Sequence, residues 1–257
     1  MSLRAEDVGV RAGGCFLIRH VSLEVRRGEL LAIMGPNGAG KSTLLNALSG
    51  SLPAAEGRVL FEGKPLPDWG ADALARQRAV LAQAVELHFP FNVREVVALG
   101  RLPHGQAERE SIDEALQLVG LTGLAKRSYL TLSGGERQRV HLARALAQVW
   151  PTESATGLRV LLLDEPTNNL DPHHQHDILT LARRWAEEGA AVAAILHDWN
   201  LALRFAHRAV ILQRGEVAVP PSPVAEALTA DNLERVFGLR LQALRGESGE
   251  TWIAPRA

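Results

Sequence analysis

Short, wholly apolar runs alternate along this chain with longer stretches in which apolar residues return every three or four positions. Leu30-Leu31-Ala32-Ile33-Met34, Val160-Leu161-Leu162-Leu163 and Ala190–Leu196 contain no polar residue. Runs of this kind fit strands buried on both faces of a parallel sheet, because a strand with one wet face would alternate. Val21, Leu23 and Val25 do alternate and predict a strand that ends in a turn at Arg26-Arg27-Gly28-Glu29. Arg58–Glu62, Val80–Ala82, Val210–Leu212 and, past a turn at Gly215, Val217–Val219 predict further short strands. Helical spacing covers Ser42–Leu48, Ala71–Gln77, Asn92–Leu99 and most of Arg101–Leu146, with breaks at Gly105, Gly120 and Gly123. The tail predicts a helix over Ala230–Val236 and strands over Leu239–Leu244 and Thr251–Ala254. The expected fold class is α/β. One domain over 1–257 holds a mixed-sheet core (about 1–90 and 150–228), an inserted α-helical subdomain (about 91–149) and a tail (about 229–257).

Composition narrows the class by exclusion. Of 257 residues, 46% are hydrophobic and 22% charged, which suits a globular core. A net charge of −1 gives no broad electrostatic attraction to nucleic acid, and none is expected as a partner. Cys15 is the only cysteine, so no intramolecular disulfide can form. Met1 to Gly14 has no apolar stretch of signal-peptide length, and no window reaches the length of a membrane span. Any contact with a membrane is expected to run through a partner.

Candidate chemistry begins directly after the first apolar run. Gly35-Pro36-Asn37-Gly38-Ala39-Gly40-Lys41-Ser42-Thr43 matches G-x-x-x-x-G-K-[ST], with a predicted strand before it and a predicted helix after it. Gly38 and Gly40 let successive backbone N–H groups turn toward one anion, and the helix start adds its positive dipole end. Lys41 can reach the β- and γ-phosphates of a nucleotide, and the Ser42 hydroxyl can ligate a divalent cation. The fold is thus expected to be that of a P-loop NTPase. Asp164-Glu165 follows the Val160–Leu163 run at the carboxyl end of a predicted parallel strand, where such sheets bind ligands. Asp164 is placed for the metal and Glu165 for the attacking water.

A third motif, Leu132-Ser133-Gly134-Gly135-Glu136, combines a capping box with two glycines at a helix start. At these residues the chain resembles the ATP-binding cassette (ABC) family, whose mark is this LSGGE signature, and the resemblance spans nearly the whole length. It implies ATP and Mg²⁺ as cofactors, and Gln83 as the glutamine that touches the metal and senses a membrane partner. It implies Asn168-Asn169-Leu170-Asp171 as the D-loop and His197 as the histidine that contacts the γ-phosphate. It also implies that Ser133, Gly134 and Gly135 of one subunit face the P-loop of another, so that a homodimer closes over two nucleotides. The expected partners are a second copy of the chain, a transmembrane permease dimer and, indirectly, a periplasmic binding protein. The expected location is the cytoplasmic face of the inner membrane.

The family often stacks an aromatic residue on adenine. That position falls near Ala12, Phe16 lies on the predicted strand, and Arg11 is available for a weaker contact. His197-Asp198-Trp199-Asn200-Leu201-Ala202 resembles the family's importers of iron chelates, haem and cobalamin. The Trp150-Pro151 link, lengthened through Gly157, resembles those that import haem. Ferric siderophore or cobalamin import is the nearest alternative, and a soluble cassette ATPase, such as a cluster-assembly scaffold, is the alternative of another class. Leu87-His88-Phe89-Pro90-Phe91 is either core packing or part of a groove for a permease helix. His173, His174 and His176 read as a solvated helix start capped by Asp171, with Pro172 at its first position.

Overall fold

The computed structural model describes residues 1–82, 87, 89–105, 109–150, 157–168, 170–246 and 249–256. Two long antiparallel strands, β1 (Ser2–Ala12) and β2 (Cys15–Arg26), lead into β3 (Leu30–Met34), and helix α1 (Lys41–Ser49) follows. Strands β4 (Glu56–Phe61) and β5 (Lys64–Pro65) join β1 and β2 in a sheet of order β2-β1-β4-β5. After α2 (Ala71–Ala75) comes β6 (Arg78–Leu81). The helical stretch contains α3 (Val93–Ala98), α4 (Arg109–Leu118) and α5 (Gly134–Gln148). Then follow β7 (Val160–Leu163), α6 (Pro172–Glu187), β8 (Ala191–Ile195), α7 (Trp199–Phe205), β9 (Arg208–Gln213) and β10 (Glu216–Pro223). The tail holds α8 (Val224–Ala227), α9 (Ala230–Phe237) and a hairpin of β11 (Leu241–Arg245) and β12 (Thr251–Pro255).

The central sheet has the order β10-β9-β3-β8-β7-β6, parallel from β9 to β6 with β10 antiparallel at one edge. It is the mixed sheet expected from the sequence. Its apolar strands separate two cores. Leu30, Ala32 and Met34 join the side chains of α3 to α7 and the tail, while Leu31 and Ile33 join α1 and the antiparallel sheet. That two-sided burial is why β3, β7 and β8 carry no polar position. Each buried leucine or isoleucine adds roughly 1.5–3 kcal/mol.

Several expectations need correction. The strand expected from Val21 begins at Cys15, and β1 went unpredicted. A register shift between Ala5 and Val8 breaks the two-residue period of β1, and shifts between Val21 and Phe16 break that of β2, hiding their alternation. The strand expected over Val217–Val219 runs on to Pro223 through Pro220 and Pro221. Proline is tolerated there because β10 is an edge strand. The helical stretch expected over Arg101–Leu146, with breaks at Gly105, Gly120 and Gly123, is interrupted by 3₁₀ segments at Leu99–His104, Thr122–Leu124 and Tyr129–Thr131. Pro103 lies inside the first of these, where it cannot continue an α-helix.

Candidate functional site

The chain leaves β3 at Gly35 with φ +144°, and a Cβ there would stand 2.2 Å from the Leu212 carbonyl oxygen. Only glycine fits that approach. The loop enters α1 through Gly40, an N-cap at φ +95° with no side-chain acceptor to offer. The first-turn N–H groups of α1 are thereby left to an outside acceptor, at the positive end of the helix dipole. Lys41 is only 6% exposed, and its Nζ donates to the Gly35 and Pro36 carbonyls at 2.9 Å each. Burial pulls its pKa down, while the charges of Glu165 and Asp164 pull the other way.

Beside the loop, Ser42 Oγ donates to Asp164 Oδ1 at 3.2 Å. Asp164 is buried at the end of β7, and its N–H donates to the Leu81 carbonyl at the end of β6. Burial raises its carboxyl pKa; the Ser42 hydroxyl opposes this and the charge of Glu165 reinforces it. Glu165 sits at φ +52°, an uncommon conformation that Asp7, His20, Glu62 and Arg214 also hold, and of these it alone lines the phosphate-loop cavity. The surrounding residues grip it from several directions. His197 Nε2 lies 2.6 Å from Oε1, and Asn168 Nδ2 donates to Oε2. Gln138 Nε2 donates to the backbone carbonyls of Glu165, at 3.2 Å, and Pro166, at 2.7 Å. A cavity of about 750 Å³ opens here, lined by residues 37–43 with Leu17, Glu165, Asn168 and His197. The size suits a nucleotide-scale ligand. Backbone amides and Lys41 on one wall face a gripped carboxylate and a histidine on the other. That arrangement can hold an anion and take a proton from water beside it.

The other expected positions lie elsewhere. Ser133 caps α5 through a capping box: its Oγ accepts from the Glu136 N–H at 3.3 Å, and its N–H donates to Glu136 Oε2 at 2.8 Å. Ser133 and Gly134 are exposed and, with Gly135, do not line the cavity. Asp171 caps α6, its Oδ1 accepting from the His174 N–H at 3.0 Å, and does not line the cavity either. Gln83 and Asn169 lie outside the described residues. His174 pairs with Asp171 at 2.7 Å, His173 with Asp177 at 2.9 Å, and His176 meets the Phe205 ring edge-on at 4.9 Å.

Arg11 does not face the cavity. Its guanidinium lies 4.0 Å over the Phe16 ring, which Arg19 also covers at 4.6 Å. Leu17, one position along β2, is the side chain presented to the cavity. No sequence signal singles out Leu17, because register shifts that leave extra residues in β2 between Val21 and Phe16 decide which of its side chains faces the loop. Gln138 was equally hidden, since its partners are backbone carbonyls 27 and 28 residues away. Asn168 was legible as a D-loop residue but not as the clamp on Glu165.

Comparison with known proteins bears on this site. A family model described as ABC transporter matches residues 18–168. The chain is 48% identical over 258 residues to the hemin import ATP-binding protein HmuV of Pseudomonas aeruginosa, covering 99% of this chain and 100% of that one. It is 46% identical to the protein of the same name from Rhodopseudomonas palustris, covering 99% of this chain and 97% of the other. Among solved structures, a metal-chelate type ABC transporter in an inward-facing conformation superposes with a TM-score of 0.81 at 26% identity. The match covers 100% of this chain and 98% of that one. The dimeric structure of MJ0796, a bacterial ABC transporter cassette, superposes with a TM-score of 0.74 at 30% identity, covering 86% and 98%. With the P-loop cavity in place and relatives matched end to end, this chain belongs to the ABC transporter family, as one of its ATP-binding, ATP-hydrolysing subunits.

Proposed function

We propose that this chain is the motor subunit of a haemin importer, a homodimer that binds and hydrolyses ATP against a membrane-embedded permease dimer. Among the described residues no helix is long and apolar enough to cross a membrane, so the permease supplies the span. The subunit works at the cytoplasmic face of the inner membrane, and a periplasmic binding protein delivers cargo on the other side.

In this reading the amides of residues 35–43 and the Lys41 ammonium hold the β- and γ-phosphates. Glu165 takes the proton of the attacking water, and His197 fixes Oε1 while facing the γ-phosphate. Ser42 and Asp164 present hard oxygen donors side by side, the donor type Mg²⁺ takes, and are the described residues that would hold it. The ion would neutralise charge on the phosphate oxygens. Gln83 is assigned to the same ion on resemblance alone. Ser133, Gly134 and Gly135 close the pocket of the partner copy, with Asp171 beside them. The observation that carries the dimer is the division of the site: one chain brings Lys41, Asp164, Glu165 and His197 together and leaves its LSGGE helix start exposed and off the cavity. Nucleotide shared across two copies favours the closed state, and loss of the γ-phosphate removes that bias.

The cargo rests on the near-full-length likeness to proteins named for hemin import. Reconstituting the chain with its permease in vesicles tests it. ATP-dependent uptake of haemin, with little uptake of a ferric siderophore or cobalamin, is expected. The reverse preference would transfer the motor to another iron or cobalt chelate.

A further inference from the structure

The end of the tail takes no part in the phosphate cavity, yet it is fastened to the helix that starts two residues after His197. Its near end is anchored to the sheet: Gln213 Nε2 donates to the Val236 carbonyl at 3.0 Å, and Leu233 and Val236 are buried. The β11–β12 hairpin follows, with Leu241 and Ile253 packed into the same core as α7. Here Asn200 closes a two-way clasp. Its Nδ2 donates to the Ile253 carbonyl at 3.1 Å, and its Oδ1 accepts from the Ile253 N–H at 2.8 Å. The side-chain amide thereby does for the outward peptide of β12 what a neighbouring strand would do. Trp199 Nε1 donates to the same carbonyl at 3.3 Å, and its ring meets Phe237 edge-on at 5.6 Å.

Trp199 and Asn200 are also the first turn of α7. Asp198 caps that turn, its Oδ1 accepting from the Asn200 and Leu201 N–H groups at 2.7 and 3.0 Å. Directly before the cap stands His197, 2.6 Å from Glu165. A helix of seven residues has little stability of its own, so its first turn lies where its tertiary contacts hold it. On the side of the tail those contacts are the clasp on Ile253 and the Trp199–Phe237 pair.

We propose that the C-terminal hairpin is a positioning element for His197. Asn200 is the positioning residue through which β12 fixes the first turn of α7 and hence the His197–Glu165 contact. The kinetic consequence rests on the motor reading above; the structural consequence does not. In the full chain, Asn200→Ala is expected to lower kcat for ATP hydrolysis about five- to tenfold while KM stays within about twofold, because the P-loop amides and Lys41 are untouched. Ile253→Pro, which deletes from the hairpin side the N–H that Asn200 Oδ1 accepts, should give the same split. Leu244, exposed on β11 and absent from the cavity that Asn200 lines, is the control, and Leu244→Ala should change neither constant.

A second readout needs no hydrolysis. The imidazole Cε1–H resonance of His197, assigned by its loss in His197→Ala, should shift in Asn200→Ala while that of His20, which pairs with Asp7, stays in place. Wild-type kcat with an unmoved His197 signal would overturn the proposal. So would parallel loss of nucleotide binding and kcat in both variants, which would mean a general loss of fold. A wild-type chain that never hydrolyses ATP, with the His197 signal still moving in Asn200→Ala, would sink the motor reading and support the positioning role.

Discussion

Glu165 carries a local conformational cost of about 1–3 kcal/mol by holding a positive φ. What offsets it is the set of grips from His197, Asn168 and Gln138, so the strain is kept where the carboxylate must point. Replacing that carboxylate by an amide preserves size and most hydrogen bonding but removes the proton acceptor. Single-turnover hydrolysis by Glu165→Gln should therefore fall about 10²–10⁴-fold, with ATP binding retained. Turnover near the wild-type rate would strip Glu165 of its role.

His207 shows a different constraint at the same scale. Its Nδ1 accepts the Leu30 N–H at 2.9 Å, at the start of the strand that leads to the P-loop. Burial first, then the charge of Arg183, hold its pKa below 6.5, against weaker opposing pulls from Glu187 and Glu29. The folded value is depressed, so the unfolded chain takes the proton first as pH falls. The contribution of His207 is present in full above pH 6.5 and is lost progressively as pH drops toward the folded value. Denaturant midpoints should decline over that window, and His207→Gln, which keeps an acceptor but no titration, should flatten the decline.

At the scale of elements, the pattern of apolar runs was read correctly where a segment is buried on both faces and misread where an edge or a bulge intervenes. β3, β7 and β8 were legible because every position meets a core. β1 was missed and β10 was read only over Val217–Val219, since a bulge in the first and prolines in the second erase the alternation that a half-buried strand should show. The segment after β6 divides between its two readings. Phe91 packs against the main core, and its carbonyl accepts the Tyr129 N–H at 2.9 Å, whereas Phe89 is 66% exposed. His88 lies outside the described residues. Phe91→Ser should cost about 2 kcal/mol or more in equilibrium unfolding. Phe89→Ser should change stability by no more than about 0.5 kcal/mol. If Phe89 touches the permease, that second variant should lower ATP-driven uptake while basal hydrolysis persists.

In the proposed homodimer, one copy does not complete the site. Within the chain, the signature helix is tied to the Glu165 loop through Gln138, and Leu170 comes within 3.0 Å of where a Cβ on Gly135 would be. Its capped start nevertheless does not line the cavity of its own P-loop. Two inactive variants should then rescue each other. Ser133→Arg keeps a sound P-loop and Glu165, and Glu165→Gln keeps a sound signature, so a mixed dimer contains one intact pocket. Equal mixing should restore about a quarter of wild-type hydrolysis, since half the dimers are mixed and each has one working site of two. Ser133→Arg active on its own, or a mixture as inert as its parts, would count against a shared pocket.

The sequence by itself determined the kind of fold and the chemistry of the phosphate loop. These depend on local rules: glycine where the backbone must turn, apolar residues where both faces are covered, a lysine and a hydroxyl at a helix start. It also placed Asp164 and Glu165 by the rule that parallel strands present ligands at their carboxyl ends. Only the tertiary structure decided that Gln138 and Asn168 grip Glu165, that Leu17 rather than Arg11 faces the cavity, and that Asn200 ties the tail to the helix after His197. Those contacts join residues through strand parity and long-range backbone partners, and neither leaves a periodic trace along the chain.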